Sequence, residues 1–262
     1  MAALVVTERQ GRVLVATLAR APVNALDDPL IAALDAVLEQ AIDDDEVAVL
    51  HLRSEQRAFS AGADLSLIES CFATPHGPDR MTDVVRDMQR LYARLEAAPL
   101  VTLAEIGAPA LGGGFELALA CDWRIAANEA RVGLPEAGLG LLAAGGGTQR
   151  LTRLLGPGLA RRLILGGETL TGEQALQLGL VQWSVPRAAL PAAAQALAER
   201  AAQVPRYTLA ENKRCIALAA SAPGEGYAAE IAATRRLYEN PETRRRVTAF
   251  LDKNAAPTKE QA

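Results

Sequence analysis

Between Leu4 and Ala126 short apolar runs alternate with segments of helical periodicity, and that order constrains the fold more than any other feature. Leu4 to Arg9 and Arg12 to Leu18 alternate about Gln10-Gly11 and predict a β-hairpin. Asp28-Pro29 opens a helix, with a carboxylate at the cap and proline in the first turn. Leu30, Ile31, Leu34, Val37, Leu38, Ala41 and Ile42 keep one face of it apolar, and Asp43-Asp44-Asp45 marks the exit. Val47 to Leu52 predicts a short buried strand, followed by a loop from Ser54 to Asp64 and an irregular stretch through Thr74-Pro-His-Gly-Pro78. A second amphipathic helix is expected over 82–97, on Val84, Val85, Met88, Leu91 and Leu95. Leu100 to Ala104 and Trp123 to Ala126 read as further strands, separated by a glycine turn at 112–114 and a helix holding Glu116. Strand, helix, strand, helix in this order predicts β/α crossovers and largely parallel strands, an α/β fold.

From Pro186 the pattern is almost wholly helical, over 187–203, 206–219, 223–239 and 241–251, with Asn240-Pro241 as cap and first-turn proline of the last helix. A boundary near Val204-Pro205 divides an α/β body, 1–204, from a helical C-terminal region, 205–262. Those alanine- and leucine-rich helices could cover the body or a neighbouring subunit.

Composition narrows the function classes. Half of the 262 residues are hydrophobic, so a sizeable core is affordable and disorder is not expected. A formal charge of −4 argues against a nucleic-acid partner, which needs clustered Lys and Arg. Arg244-Arg245-Arg246 reads as a solvated helix face. Cys71, Cys121 and Cys215 form no C-x-x-C pair and read as ordinary thiols of a reducing compartment. No signal or transit peptide and no bilayer-spanning segment is visible, so a cytoplasmic protein without a membrane partner is expected.

Several chemistries lack their residues. His51 sits within a predicted strand and reads as a satisfied core histidine, while His76 lies in a Pro/Gly loop. There is no G-x-S-x-G, no Cys/His cluster with zinc spacing and no Gly-Lys dipeptide for a phosphate loop. Gly138-Leu-Gly140-Leu-Leu-Ala143 matches a loose dinucleotide fingerprint, but it follows Leu134-Pro135-Glu136 and no long apolar strand.

Two carboxylates do need an explanation. Glu116 lies in Leu111-Gly-Gly-Gly-Phe-Glu-Leu-Ala-Leu-Ala, and Glu136 in Val132-Gly-Leu-Pro-Glu-Ala-Gly-Leu-Gly. A carboxylate in apolar surroundings is costly unless it is paired or used. Each could be a favourable first-turn residue. Yet Arg57-Ala-Phe-Ser-Ala-Gly-Ala-Asp64 and Ala110-Leu-Gly-Gly-Gly-Phe both follow buried strands, with small residues that let another molecule approach the backbone. If those strands are neighbours, their loops offer two converging N–H donors, a device that can hold a thioester oxygen as it becomes an enolate.

These residues resemble the enoyl-CoA hydratase/isomerase, or crotonase, superfamily. The similarity runs through Pro22-Val-Asn-Ala-Leu26, Phe59-Ser-Ala-Gly-Ala-Asp64, Leu111-Gly-Gly-Gly-Phe-Glu116, Leu134-Pro-Glu136 and Gly146-Gly-Thr-Gln-Arg-Leu151. It continues more loosely through Leu170-Thr-Gly-Glu-Gln-Ala175, Gly179-Leu-Val181 and Asn212-Lys213. The resemblance implies a crotonase-like β-β-α spiral whose helical C-terminal region mediates trimerisation, often as a dimer of trimers. It implies an acyl-CoA substrate, with CoA entering as part of that substrate and no metal or redox cofactor. Fatty-acid β-oxidation is the implied setting.

By position, the oxyanion donors are the N–H groups of Ala63 and Gly113. Ala61, Gly62, Ala63, Asp64, Leu65 and Ser66, with Gly112 and Gly113, would line the substrate. Glu116 and Glu136 match the hydratase pair that holds one water, Glu136 supplying the proton at Cα while Glu116 helps deprotonate the water attacking Cβ. Enoyl-CoA Δ3,Δ2-isomerases commonly use one glutamate at the Glu136 position, so isomerisation is the alternative, and a non-catalytic acyl-CoA-binding protein a second. Two departures stand out: Ser66 replaces a lysine common in hydratases, where Arg57 would help instead, and Leu141-Leu-Ala-Ala-Gly-Gly146 replaces Ile-Pro-Gly-Ala-Gly-Gly.

Overall fold

Val5–Gln10 (β1) and Val13–Leu18 (β2) form the expected antiparallel hairpin in the computed structural model, which describes residues 3–221, together with 231, 232, 234, 236, 239–243 and 245–247. Helix Asp28–Asp43 (α1) buries Leu30, Ile31, Leu34, Val37, Leu38 and Ala41 along one face. Its cap is Asp27, one residue before the expected Asp28, and its carboxylate accepts the Leu30 N–H at 3.0 Å. Strand Val49–Ser54 (β3) follows, two residues downstream of the sequence expectation.

The stretch after Asp64 corrects the sequence reading. It is a helix, Leu65–Phe72 (α2), and not irregular chain. Asp64 caps it by accepting the N–H groups of Ser66 and Leu67. Only Cys71 of this helix is buried, so its apolar residues do not repeat as a core-facing stripe. Helix Gly77–Ala97 (α3) starts five residues earlier than the expected 82–97, with Pro78 in its first turn.

Strand Val101–Ile106 (β4) is buried throughout; Ala110–Leu111 (β5) and helix Gly113–Ala120 (α4) follow it. Next come Trp123–Ala127 (β6), Arg131–Gly133 (β7), a 3-10 turn at Pro135–Leu139 and the long helix Gly147–Leu165 (α5), interrupted at Gly156-Pro157. The body continues with Thr169–Thr171 (β8), Gly172–Gln177 (α6), Trp183–Val185 (β9) and Leu190–Ala202 (α7). Thr171 and Gln174 give α6 a reciprocal capping box.

The strands form two layers. The larger sheet has the order β1-β2-β3-β4-β6-β9, parallel everywhere except the first hairpin. The smaller has the order β5-β7-β8, and single bridges, Leu26 to Ala63 and Ser60 to Ala110, lead the earlier turns toward it. Each turn thus leaves a long strand in one sheet and a short segment in the second layer before its helix, the β-β-α spiral. Helix α7 packs across β2, β3, β4 and β6, closing the core. There His51 and Glu105 are buried with Nε2 and Oε2 2.9 Å apart, close enough to pair though out of line for a hydrogen bond. His51 is a core residue, as its strand position implied, but its Nε2 has no hydrogen-bond partner among the described residues, so it is buried and not fully satisfied.

Chain contacts divide the protein into two compact units, Met1–Leu209 and Ala210–Ala262. Helix Arg206–Ser221 (α8) matches the expected 206–219. The expected helices at 223–239 and 241–251 lie mostly outside the described residues, although Asn240 Oδ1 does accept the Glu242 N–H. Exposed Arg245 and Arg246 both pair with Glu242. Among the described residues no helix is long and apolar enough to cross a membrane.

Candidate active site

Helix α4 has no polar face: all eight of its residues are buried, and Glu116 is only 2% exposed. Its Oε1 accepts the N–H of Gly147 at 2.6 Å, at the open N-terminus of α5, where a carboxylate is favoured. Burial pushes the Glu116 carboxyl up to about 7; the Gly147 N–H opposes that rise and the charge of Glu136 adds to it. A Cβ at Gly145 or Gly147 would stand 2.7 Å from the Glu116 oxygens, so this approach requires glycine at both positions. Tyr92 of α3 closes the other side, fully buried, its hydroxyl donating to the Gly113 carbonyl at 2.8 Å.

Glu136 comes from the 3-10 turn after β7 and is half-buried, and its buried Oε2 has no protein partner among the described residues. Burial also pushes this carboxyl up. Gly112, at φ +52°, faces it: a Cβ there would meet Glu136 Oε1 at 2.8 Å. The Gly112 N–H donates to the Gly133 carbonyl at 2.9 Å, tying the glycine turn to the strand that delivers Glu136.

The two donor loops meet. A Cβ on Gly62 would lie 3.2 Å from the Gly113 nitrogen, and one on Gly113 would lie 3.6 Å from the Ala63 nitrogen. Among the described residues, the N–H groups of Ala63 and Gly113 donate to no backbone carbonyl. Asn24, wholly buried at φ +49°, holds the first loop: its Nδ2 donates to the carbonyls of Ala58 and Phe59, and Ser60 Oγ donates to its carbonyl at 2.7 Å. Sequence reasoning assigned Asn24 no role; an asparagine between apolar residues, able to take positive φ, was the available signal.

Both carboxylates open on one cavity of about 750 Å³, together with Ala61, Gly62, Ala63, Leu65, Gly112 and Gly113. Three sequence candidates are absent from its wall. Asp64 caps α2 and binds Arg20 at 2.8 Å, Ser66 follows it in that first turn, and Arg57 is exposed. Sequence reasoning missed the face of α3 that does line the cavity, Met81, Val85 and Met88 at helical spacing, because that stripe reads equally well as core. It also missed Leu139. The segment from Gly138 to Ala143 carries no helix opening after a strand, which removes the dinucleotide fingerprint. Among the described residues no three metal-ligating side chains cluster.

Comparison with known proteins agrees with this geometry. Residues 8–261 match the family described as enoyl-CoA hydratase/isomerase. A probable enoyl-CoA hydratase of Bacillus subtilis is 39% identical over 199 residues, 76% of this chain and 76% of that protein. A 2,3-dehydroadipyl-CoA hydratase of Escherichia coli is 42% identical over 178 residues, 67% of each chain. Among solved structures, DspI of Pseudomonas aeruginosa superposes with a TM-score of 0.90 at 33% identity, over 95% of this chain and 94% of that one.

Proposed function

This chain belongs to the enoyl-CoA hydratase/isomerase family, and from that premise we propose how it adds water across the α,β double bond of a 2-enoyl-CoA to give the 3-hydroxyacyl-CoA. The observation that carries the mechanism is two carboxylates, both held above their ordinary range by burial, on one cavity with two convergent N–H groups. The thioester oxygen sits between the N–H groups of Ala63 and Gly113, an oxyanion hole in which each donor typically contributes about 10²–10³ in rate. One water lies between the glutamates, which share a proton near neutral pH. Ionised Glu116, steadied by Gly147, takes a proton from the water as its oxygen attacks Cβ. Protonated Glu136 delivers its proton to Cα, and the pair recovers its starting state through the next water. The two carboxyls titrate as a coupled pair. The addition changes no overall oxidation state, so the mechanism invokes no redox cofactor, and no metal has a step in it.

Loss of the conjugated absorbance of crotonyl-CoA, with formation of 3-hydroxybutyryl-CoA, tests this. Glu116→Gln and Glu136→Gln are each expected to lower kcat by about 10²–10⁴-fold; unchanged rates in both would remove the assigned roles. The unpartnered Oε2 of Glu136 supports a second reading, Δ3,Δ2 isomerisation with Glu136 as the single proton carrier. Activity on 3-enoyl-CoA with none on 2-enoyl-CoA would select it, and acyl-CoA binding without any turnover would select a binding protein.

The remaining assignments extend the same proposal. Ala63 and Leu65, on the cavity wall, face the CoA side, with Arg57 reaching a CoA phosphate in place of the lysine that many hydratases carry. The protein works as a homotrimer or dimer of trimers, which would cover the exposed Ile216, Ile231 and Val247 of the C-terminal unit. Its three cysteines form no disulfide, which suits the cytoplasm.

A further inference from the structure

We propose that this protein selects apolar acyl groups longer than crotonyl and rejects acyl groups that end in a charge; the inference rests on the enoyl-CoA reading above. It comes from the cavity wall beyond the two glutamates. One side is the α3 stripe Met81, Val85 and Met88, and the other includes Leu139, Leu141 and Leu142. The remaining polar side chains on the wall are the hydroxyls of Thr74 and Thr82 and the thiol of Cys71. Among the described residues no lysine, arginine or histidine lines it. The arginines of α3 are engaged elsewhere: Arg80 with Asp28, Arg86 with Asp83, Arg90 with Asp87 and Arg94 with Asp35 and Glu39. Arg150, behind Glu116, is held by Glu96 and the Gly145 carbonyl.

Size points the same way. At about 30 Å³ per heavy atom, close to the share of one water, an eight-carbon acyl group needs roughly 240 Å³. A cavity of about 750 Å³ holds that group and part of the pantetheine arm, whereas a crotonyl group would leave much of the apolar wall uncovered. Several large apolar side chains on that wall are exposed: Phe72 is 80% exposed and Leu139 and Leu142 are each 66% exposed. A longer acyl chain covers them, and each methylene adds selectivity. Among the described residues a terminal carboxylate meets no cation there, only a largely apolar wall and two acidic side chains.

The test measures kcat/KM of the full chain on trans-2-butenoyl-, hexenoyl-, octenoyl- and decenoyl-CoA, and on the hexenoyl thioester carrying a terminal carboxylate. The value is expected to rise at least about tenfold from four to eight carbons. The carboxylated ester should fall at least about 100-fold below its neutral counterpart, because its charge is left unpaired. Val85→Trp, which fills the α3 side, should lower the octenoyl-to-butenoyl ratio about tenfold. Leu142→Lys, at an exposed position that the fold tolerates, should raise the carboxylated-to-neutral ratio about tenfold. Falling kcat/KM with length, equal use of the carboxylated ester, or ratios unmoved in both folded variants would each overturn the inference while leaving the hydratase intact. Turnover of none of the esters would instead overturn the hydratase reading on which it rests.

Discussion

At the scale of single residues, the two glutamates and the glycines around them decide the chemistry. Burial holds Glu116 near 7, so the folded state binds its proton more tightly than the unfolded chain does. Its contribution is fully present below pH 4.5, is lost as pH rises toward about 7, and amounts to a penalty of about 3 kcal/mol at pH 8. Urea unfolding at pH 5 and pH 8 should therefore show the wild type losing more stability than Glu116→Gln across that interval, by up to that amount. Because the two carboxyls titrate as a coupled pair, their burial predicts that kcat/KM falls on the acid side well above the ordinary glutamate range of about 4.3. Gly112→Ala combines a positive φ with a Cβ 2.8 Å from Glu136 Oε1. We expect roughly 1–3 kcal/mol of backbone strain and a kcat that falls more than KM rises, read from urea midpoints and steady-state kinetics.

At the scale of elements, α4 is the piece on which the site is built. Its N-terminus offers the Gly113 N–H, its first turn carries Glu116, and its C-terminus is closed by the buried guanidinium of Arg124. Arg124 donates to the carbonyls of Ala118, Leu119, Cys121 and Leu180, and a cation at that end also complements the helix dipole. Replacing it with methionine strands those acceptors in the core and is expected to cost about 3–5 kcal/mol in urea unfolding. The start of α4 was legible, because a glycine triplet after an apolar strand leaves few alternatives. Helix α2 was not. Its residues face a cavity and solvent, so no stripe of burial writes itself into the spacing, and Asp64, carried over as a substrate contact, serves as its cap. The α3 stripe was legible as a buried face but not as a cavity wall, since periodicity reports apolar surroundings without saying whether protein or ligand supplies them.

At the scale of the whole molecule, the assembly carries its own prediction. With a chain mass of 27.6 kDa, sedimentation equilibrium should give three or six times that value for the proposed trimer or dimer of trimers. Truncation before Ala210 should return a monomer if the C-terminal unit holds the subunits together. The sequence by itself determined the alternation of strands and helices, the glycine turns and the two carboxylates in apolar settings, because these are local properties of periodicity, φ and desolvation. The tertiary structure alone decided that Gly113 faces Ala63, that Gly147 holds Glu116, that one Glu136 oxygen has no partner among the described residues, and that one apolar cavity joins them. Those contacts join residues more than 20 positions apart, and only the winding of the spiral brings them within hydrogen-bonding or packing distance.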